Sequence, residues 1–179
     1  MQALNNDHLH ELRQAKSDFE RLMSRLTDEE FTRLIPEKWT AGQHIQHLFT
    51  TTQPVVMALG LPRFLLKWIF GKANRPSDSY ENLTARYRAK IGPGGAKSPK
   101  AFVPKPIPLS DRTKVEGYFT GSTDQLLAKA ERWEEADLDN ILLPHPLLGK
   151  ITVREMLYFC AFHIRVHQAA VERDLGSDK

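Results

Sequence analysis

Three times this sequence sets a threonine three residues ahead of a glutamate or glutamine at the head of an apolar pattern: Thr27 with Glu30, Thr40 with Gln43, and Thr152 with Glu155. In such a capping box the hydroxyl accepts an orphan amide of the first helical turn, and the longer side chain reaches back to the amide of the threonine. The pairs therefore fix where helices begin. The Thr27 pair predicts a short helical turn that stops before Pro36. The Thr40 pair predicts a helix from Ala41 to about Met57, bent near Pro54, which brings no amide donor. Trp39 can staple onto His44 at its start. The Thr152 pair, with Ile151 and Met156 as a staple, predicts a helix to about Leu175, where Gly176 can end it.

Helical spacing accounts for most of the remaining chain. Residues from about 5 to 26 place Leu9, Leu12, Ala15, Phe19, Leu22, Met23 and Leu26 on one stripe, as in an amphipathic helix. Leu61 to Phe70, with Pro62 near its start, predicts a short helix, and SYENLTARYRAKI another. IGPGGAKSPKAFVPKPIPL is too rich in Pro and Gly for regular structure. Ser110 is expected to cap a helix through about Trp133 that includes Gly117 and Gly121. ADLDNILLPHPLLGK is expected to be a loop. With no strand alternation and no internal repeat, the fold class is all-α, a four-helix bundle in one domain spanning 1–179. The second and third long helices are joined by a crossover insertion over 61–109.

Charge is unevenly placed. The formal net charge is +3, yet residues 61–109 hold ten Lys/Arg against Asp78 and Glu81, a balance of +8, and the rest of the chain stands at −5. Aromatics interleave with this charge in WIFGKANR and RYRAK, but no nucleic-acid recognition motif accompanies them, so a solvated crossover is expected rather than a nucleic-acid surface. The lone Cys160 excludes an intramolecular disulfide and paired-cysteine metal motifs. No secretory leader or apolar membrane span is evident, and a cytoplasmic location is expected. LPRFLLKWIF can pack on a partner subunit or border a pocket, and a homodimer is compatible with it.

The final helix carries the residues that most need explanation. Val153, Met156, Cys160, His163, His167 and Ala170 form one stripe, so two imidazoles stand one turn apart on the apolar side. Such a pair can aim its nitrogens at a common centre, but a metal site wants at least one more ligand. GQHIQHL on the second long helix offers His44 and His47. His44 sits at the staple position against Trp39, while His47 lies deeper and is the better candidate. The competing explanation is a hydrogen-bonded or pH-sensitive packing pair. Cys160 is expected to be a small buried side chain, His145 a loop residue, and His8 and His10 solvated.

W39-T-A-G-Q-H-I-Q-H47-L and HPLLGKITVREMLYFCAFHIRVH, residues 145 to 167, resemble the second and final helices of the DinB/YfiT-like superfamily. The resemblance extends over nearly the whole chain. It implies an up-down-down-up bundle with a divalent-metal site made by His47, His163 and His167. Many members carry Gln three residues after the second histidine of the final pair; here that position is Ala170, and Gln168 follows His167 directly.

A site of three neutral imidazoles leaves positions open on a Lewis-acidic ion. Imidazole suits zinc or nickel foremost, with iron and manganese as alternatives. The resemblance implies a metal-dependent hydrolase or a transferase using a low-molecular-weight thiol, with a small-molecule substrate. Gln43 is expected to serve its capping box before any substrate. Glu155 is occupied as a cap and Glu172 lies in solvent, so no carboxylate stands out as general base. The alternative is a non-catalytic metal-binding or stress-related interaction protein.

Overall fold

The computed structural model describes residues 7–92 and 98–176. The Gly-rich centre of the crossover (93–97) and the expected start of the first helix near residue 5 lie outside the described residues.

All three capping boxes form. Thr27 closes on Glu30 ahead of α2 (Asp28–Thr32), and Thr40 on Gln43 ahead of α3 (Ala41–Leu59). Thr152 and Glu155 exchange both bonds at the head of α8 (Val153–Gly176), at 2.9 and 3.2 Å. The first helix, α1, spans Asp7–Met23. The third helix continues through Pro54 to Leu59. The crossover contains α4 (Arg63–Phe70), α5 (Tyr80–Ile91) and a 3-10 turn at Lys100–Phe102.

The structure departs from the expected pattern around Ser110 and after residue 130. Ser110 does not cap a helix; it lies in a 3-10 turn, Leu109–Asp111, that feeds α6 (Arg112–Ala130). Gly117 and Gly121 sit inside α6 without interrupting it. The expected loop instead holds α7 (Glu135–Asn140) and an antiparallel hairpin of β1 (Leu142–His145) with β2 (Gly149–Thr152). Two prolines hid this hairpin. Pro144 is tolerated because the two-stranded sheet has only edges, and Gly149 takes the positive φ of 73° that the turn exit needs.

Side-chain contacts set the helix directions. Lys16 and Glu20 of α1 meet Asp124 and Thr120 of α6, so these two run oppositely. His8 meets Arg154, while Leu26 packs with Val171, so α1 and α8 run the same way. His44 and His47 of α3 face His167 and His163, an opposite pairing. Phe49 stacks on Tyr118, and Lys129 reaches the carbonyl of Val56, so α3 and α6 are co-directional. Leu12, Phe19, Ile45, Phe119, Leu126, Leu157 and Ala161 form the centre of one apolar cluster, joined by Leu143 and Ile151 of the hairpin. The start of α3 is held close to α2 at Gly42, where a Cβ would come within 2.7 Å of the Phe31 ring. Removing apolar surface from water is what holds this arrangement together.

Much of the positive charge of the crossover is used internally. Arg63 and Lys67 both pair with Asp137, Arg75 with Glu155, and Arg86 with Asp78. Arg88 lies over the Phe162 ring. No helix among the described residues is long and apolar enough to cross a membrane.

Candidate metal centre

Antiparallel contact between α3 and α8 brings together imidazoles 116 or more residues apart in sequence. His47 is buried; His163 and His167 keep partial exposure and line the same cavity. His47 Nε2 lies 3.3 Å from His163 Nε2, which lies 3.0 Å from His167 Nε2. The ligand atoms of all three fall within 4.8 Å of one another, so the group could hold a metal ion. Two nitrogens bound tetrahedrally at zinc-like lengths are separated by roughly 3.3 Å, so the two contacts made by His163 suit such an ion, and any wider separation within the group has to close on binding.

The rings are held from behind. His47 Nδ1 donates to the carbonyl of Phe102 at 2.7 Å, which places the proton of the neutral ring there and leaves Nε2 as an acceptor. His167 Nδ1 meets His44 Nδ1 at 2.7 Å. Trp39 stacks on His167 with planes 9° apart, and Phe159 stacks on His163 at 19°. These contacts limit ring rotation, and rotation is what a preformed ligand set must avoid.

The electrostatics keep the lone pairs available. Burial, joined by the neighbouring imidazoles, lowers the pKa of His163 to about 3 and holds that of His167 well below its usual value. Burial also lowers His47, with its bond to Phe102 pulling in the other direction. His44 falls to about 4, chiefly by burial. Neutral imidazoles close together are compatible; imidazolium ions there would repel one another and lack solvent.

Several assignments change at this point. His44 does contact Trp39, with ring centroids 5.5 Å apart, but it also partners His167, a role its staple position concealed. Gln43 is spent structurally, its Oε1 accepting from the Thr40 amide and its Nε2 donating to Pro104 at 2.9 Å. Gln168 bonds Glu172, while Ala170 borders the cavity. Cys160 is buried, and burial pushes its thiol up to about 12, far from a thiolate ligand. His10 and Glu172 are exposed, as expected, but His8 is not solvated. It is 1% exposed, with Nδ1 3.1 Å from Arg154. His145 ends β1 rather than lying in a loop, and it lines the cavity.

That cavity has a volume of about 570 Å³, within the range of small-molecule sites. Val55, Tyr87, Met156 and Phe159 contribute apolar surface beside the imidazoles. A pocket with an apolar wall and a few convergent polar atoms is the usual form of a ligand site.

No curated protein matches the chain. A family model does match residues 11–171, a span that includes His47, His163, His167 and the whole crossover. With that match, and with its second and final helices meeting at the imidazole cluster, this chain belongs to the DinB superfamily.

Proposed function

We propose that this chain is a metal-dependent enzyme in which His47, His163 and His167 hold one divalent ion, zinc or nickel foremost, beside a substrate cavity. The reaction class is hydrolysis or transfer to a low-molecular-weight thiol. In this reading α1, α3, α6 and α8 form an up-down-down-up bundle in one domain, 1–179, with 61–109 as its insertion. The observation that carries it is the convergence of three imidazole nitrogens at the wall of a cavity of about 570 Å³. A purely structural metal site would be closed by protein.

When bound, the ion supplies Lewis acidity at an open position, the property that makes water or a thiol nucleophilic near neutral pH. The protein supplies the rest. The Phe102 carbonyl holds His47 in the tautomer with a free Nε2. His44 can accept from His167 Nδ1 in the same way, and such outer hydrogen bonds orient metal-binding imidazoles. The apolar surface of the cavity lowers the local dielectric and so strengthens polar interactions beside it. The test is elemental analysis of untagged wild type beside His163→Ala after zinc or nickel is supplied, followed by ester and thiol-transfer assays. About one equivalent of metal in the wild type and its loss in the variant are expected, with turnover depending on the ion. Equal metal in both proteins, or no turnover in a metal-loaded cavity, would refute the respective half.

A further inference from the structure

His145 stands at the cavity wall in an arrangement that the metal reading does not use. It is 7% exposed, at the end of β1. Its Nδ1 accepts from two backbone amides, Leu147 and Leu148, both at 3.1 Å. An amide nitrogen can only donate, so Nδ1 must carry a lone pair and the proton of the neutral ring must be on Nε2. No other polar contact of this ring occurs among the described residues, although almost the whole side chain is removed from solvent. The Nε2–H is thus left without a protein partner on a residue at the cavity wall, where an acceptor atom of a ligand can take the place of water.

The ring is also fixed in direction. Phe159 meets it edge to face with centroids 4.1 Å apart, and Tyr87 lies across it at 6.0 Å. Phe159 in turn stacks on His163 at 5.2 Å, so one aromatic ring separates His145 from the imidazole cluster. His145 lies outside the group whose ligand atoms converge, and the tautomer imposed by the two amides would present a proton to an ion instead of a lone pair.

We propose that His145 is the cavity's fixed, neutral hydrogen-bond donor, its Nε2–H recognising a carbonyl oxygen on a ligand with an apolar body. A neutral donor among Tyr87, Phe159 and Met156 favours an amide or ester carbonyl over a carboxylate, because the nearby cation, Arg86, already pairs with Asp78 and a second buried carboxylate would need a counter-charge of its own. Burial, with Arg86 nearby, lowers the ring's pKa to about 4, so the donor stays neutral across the physiological range. This rests on the cavity being the substrate site, but it does not require the ion.

The test uses benzamide, which has a carbonyl and an aromatic body, against toluene and benzoate. Nitrogen-15 NMR of the histidine side chains is recorded on the full chain, with and without zinc. The expected result is a His145 proton on Nε2 that shifts on adding benzamide and stays put with toluene. His145→Asn keeps an acceptor for the turn amides but removes the far donor. It should weaken benzamide about tenfold, the usual effect of one lost hydrogen bond, and leave toluene unchanged. A proton on Nδ1, failure of benzamide to bind, tighter binding of benzoate than benzamide, or equal losses for benzamide and toluene in the variant would each overturn the proposal. Zinc uptake by the same samples, read by elemental analysis, decides the metal reading separately.

Discussion

Helix α8 carries two polar clusters on one rod, and they are built in opposite ways. At its start Arg154 and Glu155 are 8% and 0% exposed. Glu155 accepts from both guanidinium nitrogens of Arg75 and from the amides of Asp78 and Thr152. Arg154 binds Asp139 through two bonds, together with Glu135 and His8. Each ion there faces an opposite charge, and strong donors meet acceptors, as burial of ions demands. About two turns further along, His163 and His167 offer nitrogens that meet chiefly other nitrogens. A satisfied cluster holds the fold; a cluster of converging acceptors is held by the fold for something else.

The largest expected effect lies at the satisfied end. Glu155→Ala would leave two amides without their acceptor and loosen Arg75, and should cost about 3 kcal/mol in urea denaturation, with or without metal. A loss below about 1 kcal/mol would break the distinction. At the other end, His163→Ala should leave metal-free stability within about 1 kcal/mol of wild type. Its zinc affinity should fall a hundredfold or more, equivalent to about 2.7 kcal/mol, as read by competition with a chelator. If metal-free stability dropped as far as in Glu155→Ala, the imidazoles would be core residues after all.

Acid should weaken both clusters next, and single variants apportion the loss. Burial and, secondarily, Arg154 lower the His8 pKa to about 4 from 6.5. The unfolded chain therefore binds more protons between pH 6.5 and 4, and the metal-free protein should lose stability as pH falls through that window. His8 should account for at most about 3 kcal/mol of this loss. His8→Asn, which keeps an acceptor for Arg154 but does not titrate, should flatten the slope; an unchanged slope would contradict the burial argument. Glu155 acts at lower pH. Burial opposes its ionisation, but Arg75 and the two amides prevail and hold its pKa below 4.5. Its stabilisation is present above the unfolded value and is lost as pH drops through the folded one. The smallest effect is expected for His44→Phe, which keeps the ring packing and removes the partner of His167. Zinc affinity should fall about tenfold, the lower end for such supporting contacts; no change would remove His44 from the site.

What could be foreseen in the chain follows the range of the forces involved. The capping boxes and the one-turn spacing of His163 and His167 are local, so Thr40, Gln43, Thr152 and Glu155 declared their helices directly. The choice of His47 rested on its depth in α3 and matches the cluster found. His8 was misplaced although His8, Leu12, Ala15 and Phe19 follow helical spacing; its polarity outweighed its register, and Arg154, 146 residues away, supplies the partner that makes burial tolerable. The hairpin was hidden because Pro144 and Pro146 suppress the strand signal. No local pattern reveals that the Phe102 carbonyl fixes the tautomer of His47, since that bond joins residues 55 apart.

The two bonds from α3 to the crossover, His47 to Phe102 and Gln43 to Pro104, couple a flanking segment to the centre itself. If that segment detaches, His47 loses the acceptor that fixes its proton. The coupling must act equally in both directions. Whatever occupies the imidazole cluster lowers the open population of residues 102–104 by the factor that opening weakens the occupant, so a protease cutting near Phe102 would sense a vacancy in a site it never touches.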